Sequence, residues 1–108
     1  MKKRFGQMIR LKHGEIKKYV EYHANPWPGV NAKLKEANIG RYSIYLKDEI
    51  LFAYFEYSGI DYEKDMALIA SDPTTLKWWD LVKPLMLPLP TRADGEFWAD
   101  MEEVFHLD

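Results

Sequence analysis

Tyr19 and His23 stand four residues apart in a stretch with helical periodicity. On a helix, positions i and i+4 share a face, so a phenol and an imidazole there can line one cavity. Histidine is the side chain best suited to moving protons near neutral pH. The same pair is equally read as a partly buried structural histidine with a tyrosine packed on it. Asn25-Pro26-Trp27-Pro28 follows immediately, and its two prolines stiffen the helix exit beside His23.

Trp78 and Trp79 form the second constellation. Adjacent helical residues point about 100° apart, so both cannot occupy the centre of a core. Indole offers an apolar face and one N–H donor, which suits a sugar whose C–H face stacks while its hydroxyls need partners. The alternative is one core tryptophan and one at an interface between two copies of the chain. Tyr42, with Ile44 two residues on, lies on one face of a strand. His13 falls in a turn and reads as solvated, and His106 reads as a surface or interface residue. The carboxylates are numerous but dispersed, and no pair makes a catalytic dyad by spacing. No glycine-rich phosphate loop, His-Glu-x-x-His pair or nucleophile elbow occurs, and nothing in the sequence calls for a metal.

The elements that must position these residues follow from the hydrophobic period. Phe5 to Leu11 alternates, with Phe5, Gln7, Ile9 and Leu11 on one side of a first strand. Ile16, Tyr19, Val20 and His23 then recur at helical spacing, and Pro26 stops that helix near Asn25. Pro28 opens a second helix that runs to about Asn38 and ends at Gly40. Arg41 to Leu46 and Ile50 to Tyr57 read as a hairpin around the polar turn Lys47-Asp48-Glu49. Asp61 to Ala70 predicts a third helix. Asp72-Pro73, an N-cap followed by proline at the first helical position, starts a fourth that stops before Pro84. Leu85 to Gly95 predicts an extended loop, and Phe97 to Leu107 a last strand of weak alternation.

This order is strand, helix pair, strand, strand, helix pair, strand: the βαββαβ arrangement of an α+β, ferredoxin-like sandwich with an antiparallel sheet. Helices would cover one sheet face. The other, bare and aromatic, would be closed by a second copy to give a dimeric α/β barrel, a homodimer.

Composition bounds the remaining possibilities. A length of 108 residues predicts one domain spanning 1–108. Hydrophobic residues at 47% against 30% charged place the chain among globular proteins. A net charge of -2 provides no field for phosphate backbones, so no nucleic-acid partner is expected. The absence of cysteine excludes disulfides, thiolate metal sites and a cysteine nucleophile. No apolar run reaches the ~18–20 residues of a membrane span, and Met1-Lys2-Lys3-Arg4 leads into no apolar signal core. A cytoplasmic location without membrane contact is the expectation. The aromatic content of 15% is the anomaly. Phe5, Phe52, Phe55, Tyr54, Tyr57 and Tyr62 are assigned to core or dimer interface and Trp27 to a stiff corner, leaving Tyr19, Tyr42, Trp78 and Trp79 around His23.

Taken in order, Tyr19-x-x-x-His23-x-Asn25-Pro26-Trp27-Pro28, Tyr42-Ser43-Ile44-Tyr45-Leu46, Trp78-Trp79 and Glu102-Glu103-Val104-Phe105 resemble the L-rhamnose mutarotase family. The resemblance covers about Gln7 to Leu107. It implies a homodimeric ferredoxin-like enzyme that works without a cofactor and interconverts the α and β anomers of L-rhamnose, a 6-deoxy-hexose, by acid–base catalysis of ring opening and closure. It implies His23 as the catalytic residue and Tyr19, Tyr42, Trp78 and Trp79 as substrate-binding residues. His106 stands where some members carry tyrosine and is given no catalytic role. L-fucose is the rival substrate. A non-catalytic sugar sensor and a cofactorless oxygenase on the same dimeric fold are the rival classes.

Overall fold

The structure is a computed structural model that describes residues 2–108; Met1, which the leader expectation touches, lies outside them. Strand β1 (Lys3–Leu11) pairs antiparallel with β3 (Ile50–Tyr57), which pairs antiparallel with β2 (Ile39–Lys47). On its other edge β1 meets two short strands in succession, β4 (Met86–Leu87) opposite Arg10 and Leu11, and β5 (Ala99–Met101) opposite Gly6 to Met8. The order β2-β3-β1-β4, with β5 beside β1, is that of a ferredoxin-like α+β sheet. Helices α1 (Ile16–Ala24) and α2 (Pro28–Glu36) connect β1 to β2, and α3 (Tyr62–Ala70) and α4 (Pro73–Val82) connect β3 to β4.

Alternation places Ile9, Leu11, Leu51, Ala53, Phe55 and Tyr57 under the helices, all buried. The opposite face carries Arg4, Met8, Arg10, Tyr45, Phe52 and Tyr54 by the same alternation, and no helix of the described residues covers it. The helical stripe on α1 differs from the sequence expectation. Tyr19 is buried and Ile16 and Tyr22 pack on the core, whereas Val20 is 47% exposed. The inward line is therefore 16-19-22/23, and Val20 is rotated off it.

Two differences concern helix and strand ends. Helix α2 stops at Glu36, earlier than the glycine suggested, because Asn38 takes the left-handed conformation (φ 66°) that ends helices. Asn38 donates to Asp65 at 3.1 Å, which ties the helix exit to α3. The last strand is much shorter than predicted and is divided. Met86–Leu87 pairs inside the supposed loop, Pro88 and Pro90 lack the N–H groups to continue, and only Ala99–Met101 pairs again. Residues 102–108 form no regular strand. Val104, Phe105 and Leu107 are 79–88% exposed, so their weak alternation has no face to bury in this chain.

Candidate active site

Helix α1 brings its two chemical groups together directly. The rings of Tyr19 and His23 stack at 4.1 Å between centroids, 26° from parallel. His23 Nδ1 lies 2.9 Å from the carbonyl oxygen of Tyr19. A carbonyl only accepts, so Nδ1 carries the proton and donates, which leaves Nε2 with a free lone pair. Burial holds the imidazole below its usual pKa, opposed in part by that hydrogen bond. His23 is consequently neutral at physiological pH, with a proton acceptor at Nε2.

Helix α4 supplies the indoles because its start is strongly defined. Asp72 accepts from the Thr75 amide at 3.0 Å and from its hydroxyl at 2.8 Å, with Pro73 at the first helical position. That cap sets the rotation of the helix. Thr75, Trp78 and Val82 become a buried stripe, and Trp79 lies beside it, half-buried. The edge of Trp78 meets the His23 ring at 5.2 Å and 70°. Trp27 also meets Trp78, at 5.4 Å and 63°.

Trp27 has a larger part than the stiff corner assigned to it. It is the N-cap of α2, held extended (φ −81°, ψ 122°) by the proline that follows, and its carbonyl accepts from Val30 and Asn31. A Cβ on Gly29 would stand 3.1 Å from Thr74, so the missing side chain is what lets α2 approach α4 closely there. The Pro-Trp-Pro corner thus sets an indole against Trp78.

Tyr42 reaches the same cavity through a bulge. Gly40 pairs with Glu56 and Ser43 with Tyr54, so Arg41 and Tyr42 together oppose Phe55. Arg41 adopts φ 47° to accommodate the extra residue. Strict alternation from buried Ile39 would turn Tyr42 to the opposite face; the bulge restores it to the helix side, stacked on Phe55 at 5.4 Å. Although the residue is 40% exposed, surrounding protein pushes its phenol up to about 12. Burial raises the Tyr19 phenol still further. Both therefore stay protonated at neutral pH and serve as hydrogen-bond donors.

These side chains line one cavity of about 730 Å³ between the sheet and the helices. All five sequence-predicted site residues, Tyr19, His23, Tyr42, Trp78 and Trp79, line it. So do residues that sequence reasoning gave to other tasks: Trp27, Phe55 and Tyr62. Gln7, Lys83, Phe97 and Trp98 line it as well, and sequence reasoning gave them no role in a site. Strand alternation puts Gln7 on the face of Ile9 and Leu11, where a polar side chain among apolar ones is the signal of a site residue. Phe97 falls at the start of the predicted last strand, but it lies with Trp98 in the irregular segment before β5, whose course has no period to read. His106 is exposed, 2.7 Å from Asp108, and does not line the cavity. Among the described residues no group of three or more His, Asp or Glu could hold a metal ion.

The fold and the site define a class: a ferredoxin-like α+β domain with an aromatic pocket that presents one neutral imidazole to a small ligand. Comparison with known proteins narrows it. A family model described as L-rhamnose mutarotase matches residues 4–107. An L-rhamnose mutarotase of Lactiplantibacillus plantarum is 33% identical over 106 residues, covering 97% of this chain and 98% of the relative. The crystal structure of L-rhamnose mutarotase from Formosa agariphila superposes with a TM-score of 0.76 at 25% identity, over 98% of this chain and 99% of that one. Tetracenomycin F2 cyclase from Streptomyces glaucescens, at 11% identity and a TM-score of 0.66 over 98% and 99%, shares the fold alone. The chain belongs to the L-rhamnose mutarotase family.

Proposed function

We propose that this protein interconverts the α and β anomers of L-rhamnose, with His23 as the proton-transfer group. The observation that carries the mechanism is the hydrogen bond from His23 Nδ1 to the Tyr19 carbonyl, which leaves Nε2 as a base in the aromatic cavity. Nε2 takes the proton of the anomeric hydroxyl. The O1 electrons form the carbonyl, the C1–O5 bond breaks, and O5 receives a proton. Both oxygens are attached to C1, so the imidazolium formed at O1 lies within reach of O5 and delivers the same proton there. Rotation about C1–C2 and the reverse transfers close the ring on its other face. No net proton is consumed.

The raised phenol pKa values support this single-shuttle scheme, since neither Tyr19 nor Tyr42 yields a proton readily. Their hydroxyls hold the sugar, and Trp78 and Trp79 provide the apolar wall that a C6 methyl requires. General acid–base assistance of this kind is worth roughly 10²–10⁴-fold.

The working form in this proposal is a homodimer. Support comes from the uncovered sheet face, where Tyr45 is 62% exposed against Phe52, and from the exposed apolar residues 104, 105 and 107. We place the enzyme in the cytoplasm, where the sugars it serves are consumed, and treat residues 1–108 as one domain. Among the described residues no helix is long and apolar enough to cross a membrane.

Saturation-transfer NMR on the anomeric protons of L-rhamnose, L-fucose and several other aldoses tests the proposal. Accelerated exchange for L-rhamnose above the other sugars is expected. Preference for L-fucose would reassign the substrate, binding without exchange would favour a sensor, and silence on every sugar would overturn the enzymatic reading.

A further inference from the structure

Lys83, just after α4, has no part in the scheme above, yet it lines the cavity. Among the described residues it is the only Lys or Arg in that lining, which contains no Asp or Glu. Its ammonium stands 4.1 Å from the centre of the Trp79 indole and 5.0 Å from that of the Phe97 ring. Among the described residues no carboxylate pairs with it. Aromatic faces attract a cation but accept none of its three N–H bonds in the way an oxygen does. Burial lowers its pKa by disfavouring the charged form. A ligand that displaces water from this wall must provide oxygen acceptors or leave the ammonium stranded.

A pyranose offers such acceptors in pairs, as hydroxyls on adjacent carbons. His23 stands against Trp78 whereas Lys83 stands against Trp79, and successive helical residues diverge by about 100°. The two nitrogens therefore belong to different parts of the wall. We propose that Lys83 is a substrate-binding residue whose ammonium donates to adjacent ring hydroxyls of the sugar away from its anomeric carbon. This rests on the mutarotase reading and extends it, making the cavity selective for hydroxyl configuration at one end while His23 works at the other. Trp79 and Phe97 hold the lysine so that little side-chain freedom is lost when sugar binds.

The test measures KM and kcat for anomer exchange of L-rhamnose and of analogues lacking the hydroxyl at C2, C3 or C4. Wild type, Lys83→Met and Lys83→Arg are compared, with circular dichroism to confirm folding. Lys83→Met is expected to raise KM for L-rhamnose by roughly tenfold with kcat near wild type, as loss of a charged hydrogen bond predicts. At least one deoxy analogue should bind wild type correspondingly less well and lose nothing further in Lys83→Met. That coupling is the signature of a direct contact, which a packing role does not produce. Lys83→Arg should recover part of the affinity.

An unchanged KM in Lys83→Met overturns the proposal. So does a loss that is equal for every analogue, or a loss confined to kcat. If Lys83→Met does not fold, the Lys83→Arg variant and the wild-type analogue series decide: no dependence on any of the three hydroxyls overturns it. A wild type that exchanges no L-rhamnose anomers refutes the mutarotase reading itself, and with it this inference. An active wild type with an indifferent Lys83→Met refutes the inference alone.

Discussion

Replacing His23 by asparagine separates the proton-transfer role of this residue from its structural one. Asparagine can keep the structural hydrogen bond, because Asn25, the C-cap of the same helix, already donates to the carbonyl four residues back, Glu21, at 3.1 Å. His23 makes the same i to i−4 contact with Tyr19 at 2.9 Å. The substitution removes Nε2, the stack on Tyr19 at 4.1 Å and the edge contact with Trp78 at 5.2 Å. Two aromatic contacts at ~0.5–1.5 kcal/mol each put the stability loss at about 1–3 kcal/mol. A domain of this size stays folded at 25 °C after such a loss, with Tm lower by several degrees to about 20 °C. Loss of the base removes general catalysis worth roughly 10²–10⁴-fold, or about 3–5 kcal/mol of transition-state stabilisation. Two-dimensional exchange NMR of the L-rhamnose anomeric protons reads the catalytic loss, and thermal melts followed by circular dichroism read the stability loss. Exchange at a near wild-type rate in a folded His23→Asn protein would refute the assignment. So would an activity that declines only in parallel with unfolding as temperature rises.

The acid limb of the pH–rate profile should report His23. Burial holds its pKa below 6.5, and the protonated ring cannot act as base, so kcat/KM should stay level through neutral pH and fall with a midpoint below 6.5. The folded state disfavours that proton, so stability rises with pH in this range and is lost as pH drops below 6.5; urea titrations at several pH values check the sign. At the alkaline end the Tyr42 phenol is raised from 10.0 to about 12, so its contribution is intact below pH 10 and lost as pH climbs toward about 12. Phenolate absorbance recorded beside thermal melts should show both changes together. Gly59→Ala should lower Tm by several degrees: the new methyl would collide with the Tyr57 hydroxyl and come 2.6 Å from Asp65 Oδ2, disrupting their 2.5 Å hydrogen bond. A Tm within a degree of wild type would show that this contact is soft. Trp27→Ala should raise KM for the sugar by roughly two- to tenfold with a smaller effect on kcat, since it removes the edge support of Trp78 and part of the cavity wall.

Local signals sufficed wherever one residue type decides the backbone. Asp72 and Pro73 begin α4 where capping chemistry requires, and Pro26 and Pro28 end one helix and open the next. Strand β3 has the predicted limits, because a run of aliphatic and aromatic residues is bounded by the polar turn Lys47-Asp48-Glu49 on one side and Ser58-Gly59 on the other. Spacing placed Tyr19 and His23 on one helix face and kept Trp78 and Trp79 from both pointing inward, but it did not separate a ligand site from a packed histidine and an interface tryptophan. The C-terminal strand was not legible. Pairing there depends on which part of β1's edge is still open, and that is a property of the assembled sheet.

The elements and the chemical inventory could be read along the chain: a βαββαβ order, three histidines of which one shares a helix face with a tyrosine, and an excess of aromatic rings. Which rings surround the His23 imidazole depends on contacts that exist only in the folded chain. The bulge at Arg41 turns Tyr42 to the helix side, the close approach at Gly29 belongs with the meeting of Trp27 and Trp78, and an aperiodic loop adds Phe97. The tautomer of His23 was decided there too, by a carbonyl one helical turn away that takes the Nδ1 proton and leaves Nε2 as the base. Side-chain period is a local quantity, whereas a cavity is the space left between elements that meet only after folding.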